Sequence, residues 1–257
     1  MADKTFDLNN FVIDRIIRGV ALSHKDDSIL FSINQIQNAS LNCASESTNA
    51  VDAMGTPIAT FYRAKSAEFS AENALFDMSL MATQLGTTKK VASASSKIVA
   101  PAMESFTAAG GTYTLKHAPK TAPTEIYALN GDSTFGTKYV KATQASATAF
   151  SVADKTVTLP TGLEAGTEMF VMYEYETENA VEVVNSATNF PVGCKFVMEV
   201  LGCDVCDQTN LVYAYVIFNN AKLSPDFDWS IATDGTHPFS MKAQQDLKYR
   251  SLAAQAA

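Results

Sequence analysis

Apolar and polar positions change rhythm several times along this chain, and each change predicts an element. In Phe11-Val-Ile-Asp-Arg-Ile-Ile-Arg the apolar side chains at 12, 13, 16 and 17 fit a helical stripe better than strict alternation. Residues 1–28 therefore predict a short helix or an extended arm. From Ile29 the period becomes two: Ile29, Phe31 and Ile33 alternate with Leu30, Ser32 and Asn34, and the alternation runs to Cys43 with Ile36 out of phase. This predicts one long strand, bulged near Gln35-Ile36. Val51-Asp-Ala-Met-Gly-Thr-Pro is turn chemistry, with Gly55 available for positive φ and Pro57 at the edge of a second strand over 58–62. The two strands predict a hairpin.

Ser70-Ala-Glu-Asn then offers an N-cap and an acidic first turn ahead of Ala74, Leu75, Met78, Met81, Ala82 and Leu85, with Gly86 as the stop. One helix is predicted over about 70–86. Residues 87–102 are rich in Ser, Thr, Ala and Lys and reach Pro101, which predicts a long loop. Past Gly110, short strand-like runs recur at 111–116, 125–129, 138–142, 155–159, 168–176 and 180–184, punctuated by Asn130-Gly-Asp and by the turn 163–166. Further runs follow at 195–201, 211–219, 227–231 and 239–244. Along residues 168–176, Met169, Val171, Tyr173 and Tyr175 occupy one face, and Phe170 and Met172 share the other with Glu168, Glu174 and Glu176. Both faces are partly apolar, so burial from two sides is predicted for part of this strand. No repeat of fixed period occurs, which argues against a solenoid or propeller. The fold class is mainly β.

Composition narrows the function. With 257 residues, 47% hydrophobic and 18% charged, the chain can bury a real core, as one elaborated domain or two small ones. Its surface carries little charge for its size, as expected of a protein covered by partners. The net charge of −8 comes with no basic cluster longer than Lys89-Lys90, which disfavours gripping a phosphate backbone and is compatible with a wall that nucleic acid slides past. The N-terminus lacks the basic flank and apolar run of a signal peptide, and no stretch reads as a membrane anchor, so folding and assembly in a cytoplasm are expected. Four cysteines (Cys43, Cys194, Cys203, Cys206) are too unevenly spaced for a disulfide framework, and free thiols are expected.

Signatures of chemistry are sparse. Nucleophile-elbow, P-loop and dinucleotide-binding motifs are absent. His24, His117 and His237 read as ordinary loop or strand-end residues, and no enzyme is expected. Cys203-Asp-Val-Cys206 could present two thiolates to zinc, yet the four-ligand set is incomplete and a strand-turn-strand with incidental thiols is the simpler reading. Asp26-Asp27 and Asp226-x-Asp228 do not form a calcium loop. No metal or cofactor is expected. The densest acidic set is Glu174, Glu176, Glu178 and Glu182, and period-two spacing puts the first three on one strand face. That face reads as solvated, or as an acidic lining or partner-facing stripe.

Three segments, Asn34-Gln-Ile-Gln-Asn-Ala-Ser-Leu, Gly55-Thr-Pro-Ile-Ala-Thr-Phe and Arg63-Ala-Lys-Ser-Ala-Glu-Phe-Ser-Ala-Glu-Asn-Ala-Leu-Phe-Asp, resemble bacteriophage tail-tube (major tail) proteins. The ending from Asp228-Trp-Ser-Ile-Ala-Thr-Asp-Gly to Gln244 is similar to the same family. The resemblance implies a β-sandwich or half-barrel of tail-tube type with one packed helix and long loops. It also implies a virion subunit that closes as a homo-oligomeric, hexameric ring, stacks into a tube beside other phage tail proteins, and passes DNA without sequence-specific binding. On this reading residues 1–257 form a single tail-tube-like domain, residues 110–190 are an inserted β-rich module, and residues 1–28 and 87–102 make contacts between rings. A capsid decoration or neck protein is the structural alternative. A carbohydrate-binding or adhesin module is the alternative of another class, raised by nine tyrosines and one tryptophan.

Overall fold

The computed structural model describes residues 10–205, 207–244 and 249–255. The chain divides into two compact units: one from residues 1–89 and 183–257, the other from the continuous stretch 90–182.

The first unit contains β1 (Phe11–Ser23), β2 (Ile29–Ile33), β3 (Ile36–Val51), β4 (Pro57–Asn73) and α1 (Met78–Gln84). Residues 90–182 supply β5 (Lys90–Val91), β6 (Ile98–Thr107), β7 (Thr112–Thr114), β8 (Pro119–Thr121), β9 (Glu125–Leu129), β10 (Phe135–Lys141), β11 (Ala149–Ala153), β12 (Thr156–Thr158), β13 (Glu168–Thr177) and β14 (Val181–Glu182). The first unit resumes with β15 (Gly193–Asp204), β16 (Asp207–Leu223), β17 (His237–Ala243) and β18 (Tyr249–Gln255). The protein is mainly β, with one helix and a curled half-barrel sheet, as expected.

In the first unit an eight-stranded sheet runs β2-β1-β15-β16-β17-β4-β3, with β18 also paired to β16. Its concave face holds a Phe cluster. Phe69 of β4 lies 5.6 Å from Phe196, 6.1 Å from Phe218 and 6.0 Å from Phe239, ring centre to ring centre. Each of these rings is essentially buried, and Leu80 of α1 joins them. Period-two alternation places these residues inward and leaves Glu68, Ser70 and Glu72 on the opposite face of β4.

Several expectations for this unit are corrected. Residues 11–23 are a strand rather than a helix, and the register of β1 against β15 shifts between Ile13 and Arg15 and again between Ile16 and Arg18. Each shift adds a residue, so apolar positions fall in adjacent pairs and imitate a helical stripe. The long strand from Ile29 breaks at Asn34-Gln35 into β2 and β3. The helix starts later than Ser70, because residues 70–73 continue β4 opposite β17. Asp77 is the true N-cap, accepting from the N–H groups of Ser79 (2.9 Å) and Leu80 (2.7 Å). Gly86 ends the helix as expected: its φ is +66°, and a Cβ there would lie 2.2 Å from the carbonyl oxygen of Phe190. Residues 227–231 form no strand. Instead Trp229 stacks on Phe76 at 4.1 Å and Phe227 packs 5.6 Å from His237.

His237 opens β17 fully buried, its Nε2 2.8 Å from Oε1 of Gln84, whose amide nitrogen donates to the Pro238 carbonyl at 3.2 Å. That network makes Nε2 the protonated ring nitrogen. Burial lowers the imidazole pKa, partly opposed by Asp77. A depressed histidine pKa contributes stability in full above the unfolded value near 6.5 and loses it as pH falls through the folded value. The melting temperature of the first unit is therefore expected to fall between pH 7.5 and 5.5, and His237→Gln to flatten that slope in thermal melts at both values.

In the second unit the strand order is β6-β13-β9-β10-β11-β12-β7, with β8 also paired to β13. The expected loop over 87–102 is instead β5, a bridge between Ser93 and Ser96, and the first half of β6, with Ile98 buried. Pro101 is tolerated because β6 is an edge strand, paired among the described residues only with β13. The two end strands meet through side chains. Phe106 of β6 stacks on Tyr113 of β7 at 3.7 Å, and the buried carboxylate of Glu104 accepts from the Tyr113 hydroxyl at 2.7 Å. Ile126, Phe150, Val157, Met169 and Val171 fill the enclosed core.

Candidate assembly surface

The β3–β4 hairpin is built from residues that cannot make a core. β3 reads Ile-Gln-Asn-Ala-Ser-Leu-Asn-Cys-Ala-Ser-Glu-Ser-Thr-Asn-Ala-Val, small and polar with a single charge, Glu46. At the tip, Asp52 accepts from the N–H groups of Met54 and Thr56, both at 2.8 Å, and Gly55 takes φ +84°. The backbone bonds from Thr56 and Met54 hold the Asp52 carboxyl below its ordinary range. Beyond the first turn of pairing the ribbon leaves the core: residues 37–66 are exposed without exception. Among them are Met54 (91% exposed), Ile58 (71%), Tyr62 (70%) and Phe61 (57%).

Among the described residues β3 pairs only with β4, so one edge of a sixteen-residue strand is open. The sheet's far side is open too: β2 covers β1 only at residues 19–22, and residues 11–18 of β1 pair with β15 alone. Edge strands are ordinarily guarded by Lys, Pro or inward charges. β3 has neither Lys nor Pro, and its guards are Glu46 and register shifts after Gln37, Ser45 and Ala50.

The sequence-derived acidic face lies elsewhere. Glu174 and Glu176 sit on the exposed face of β13 in the second unit, and Glu178 follows just past the strand end. Lys120 pairs with Glu176 at 3.2 Å, Lys97 with Glu178 at 3.3 Å and Lys90 with Glu182 at 3.7 Å. Much of that acidic charge is locally compensated. Of the contact segments expected between rings, residues 1–9 lie outside the described residues, β1 occupies 11–23, and 87–102 is strand at 90–91 and 98–102.

Residues singled out for chemistry are dispersed. His24 lies in the turn after β1, His117 stacks on Tyr175 at 3.9 Å, and His237 is in the first unit's core. Cys203 ends β15, and Cys206 lies outside the described residues. Burial of Cys194 in the core pushes its thiol up to about 11. Among the described residues no three His, Cys, Asp or Glu side chains are placed to hold a metal ion, and no helix is long and apolar enough to cross a membrane.

A two-sided exposed ribbon and open sheet edges are contact surface of the kind that structural proteins present. The sequence model of the YomU/Tube protein family matches residues 11–252. The chain belongs to that family and is a phage tail-tube protein, a structural component of the virion tail. Among curated proteins, none matches the chain.

Proposed function

We propose that this subunit closes with copies of itself into rings, six-fold by the tail-tube resemblance, and that the rings stack into a tube through which DNA passes. The observation that carries this is the exposed ribbon 37–66. A two-stranded ribbon is marginal alone in water, and this one shows solvent both of its faces and the outer edge of β3. Pairing β3 of one copy with the open edge of the next satisfies its free N–H and C=O groups, and a closed ring leaves no edge over. The apolar tip around Met54, Ile58 and Phe61 supplies contact area between rings. The net charge of −8 repels a polyanion rather than binding it. Glu174, Glu176 and Glu178 remain a proposed partner-facing or lumen stripe, weakened by the lysine partners of Glu176 and Glu178. Assembly takes place in the host cytoplasm, with other tail proteins at the tube ends. The protein acts without catalysis.

Replacing residues 44–66 by an Asn-Gly turn tests the proposal, because it joins Cys43 to Ala67, which already face each other across the ribbon. The shortened chain is expected to melt within a few degrees of the parent and to stay monomeric in negative-stain microscopy and light scattering, whereas the parent forms tubes. Tubes of normal length from the shortened chain overturn the assignment.

A further inference from the structure

The strand predicted to be covered on both faces is covered on one. Phe170 and Met172 of β13 point out of the second unit, in register with Tyr127 of β9 and Met103 of β6 respectively. Phe135 of β10 completes an aromatic cluster, its ring centre 4.9 Å from Tyr127 and 5.1 Å from Phe170. Phe135 is 60% exposed, Met103 65% and Met172 50%. Isolated exposed apolar residues are ordinary, but contiguous ones mark a contact site. These residues line a cavity of about 530 Å³ together with Glu125. That volume falls within the range of small-molecule sites.

Glu125 gives the cavity a fixed polar group. Its carboxylate accepts from the Tyr127 hydroxyl at 2.6 Å and from Nζ of Lys138 at 3.1 Å. The Tyr127 bond, then that of Lys138, holds the carboxyl below its ordinary range, so it is ionised at neutral pH and keeps lone pairs for further donors. A wholly apolar ligand would leave this ion pair unused, and a phosphate-rich ligand would meet a carboxylate. A ligand with an apolar ring face and a rim of hydroxyl donors uses both halves of the site.

We propose that this aromatic cavity is a saccharide-binding site, in which the apolar face of a sugar ring rests on Phe135 and its hydroxyls donate to Glu125. Tyr127 and Lys138 orient the carboxylate. The site shares no residue with the ribbon, and it would let a tail component hold weakly to a glycan-coated surface.

The test uses the full chain on an array of gluco-, galacto-, manno- and N-acetylhexosamine oligosaccharides, followed by calorimetric titration with the best of them. The parent is expected to bind a subset, and Phe135→Ala and Glu125→Gln each to weaken that binding by at least about tenfold. Phe135 is exposed and Glu125 half-buried, and unchanged melting curves verify folding of both variants. Absence of binding to every saccharide by the parent overturns the proposal, as does binding that both variants retain. Tube formation lost in Phe135→Ala would mark the cavity as a protein contact and also overturn it; tubes that persist without glycan binding leave ring assembly untouched.

Discussion

Phe69→Ala is expected to destabilise the first unit by about 3–5 kcal/mol, the usual cost of emptying a buried aromatic site. Phe69 touches three other buried rings, and the sheet that carries them cannot collapse into the space without moving β4 and β17 together. Domains of this size have only about 5–15 kcal/mol in total, so the melting temperature should fall by roughly 6–20 °C in calorimetry. Phe61→Ala is the control within the same strand. Phe61 lies on the ribbon, 57% exposed, and its truncation should change stability by less than about 0.5 kcal/mol. If ribbons pair between copies, the Phe61 variant folds normally and assembles poorly. Equal destabilisation by the two substitutions would show that the ribbon packs against its own subunit.

Glu104→Ala is expected to cost the second unit about 3 kcal/mol, because three donors, that of Tyr173 buried and those of Tyr113 and Lys116 part-buried, lose their acceptor at once. The carboxylate is 2% exposed and accepts from Tyr173, from Tyr113 at 2.7 Å and from the Lys116 N–H at 3.0 Å. Burial pushes its pKa up, yet the bonds from Tyr173, Tyr113 and Lys116 outweigh burial and hold it below the ordinary value. A lowered carboxylate pKa gives stability that is complete above about 4.3 and disappears as pH falls through the folded value. Burial first, and then Glu104, push the Tyr113 hydroxyl up to about 12; burial and the same carboxylate do so for Tyr173. Their contribution is complete below about 10 and is lost as pH rises toward 12. The second unit's thermal transition, followed from pH 3 to 11, should show a plateau with both shoulders, and Glu104→Gln should diminish the acid shoulder. An acid shoulder that persists undiminished in Glu104→Gln would locate the titrating group elsewhere.

Period two was legible wherever strands are straight. Residues 125–129 are β9 as the alternation predicts, and the Asn130-Gly131-Asp132 turn joins β9 to β10. Errors cluster where another force sets the spacing. In β1 two register shifts paired the apolar residues, and the stripe so produced is indistinguishable by periodicity from a helix. In 227–231 the alternating aromatics serve a stack on Phe76 and His237 rather than a ladder. Pro101 and the Ser/Ala-rich approach to it concealed β6, because an edge strand tolerates both. The compact unit of residues 90–182 overlaps the β-rich stretch 110–190 expected from the sequence. The ribbon's strands were readable, but its lack of any cover was not: exposure of thirty consecutive residues is a property of the folded neighbourhood, and only the low charge of β3 hints at it. The aromatic cavity was visible as an apolar second face on β13 and misread as burial, since a side chain that awaits a ligand and one that awaits a core look alike in sequence.

The interleaving of the two units has a consequence on the ribosome. β15 separates β1 from β16 in the sheet, and β17 is the strand that secures β4, so the first four strands have no inner neighbours until the chain has grown past residue 193. At about 5–20 residues per second, the interval from Asn73 to Gly193 lasts roughly 6–24 s. Residues 90–182, a continuous stretch, can mature in that time, while the nascent N-terminal strands wait unsheltered in a cell making many identical chains. The sheet of the first unit is therefore completed only after residues 90–182 have been made.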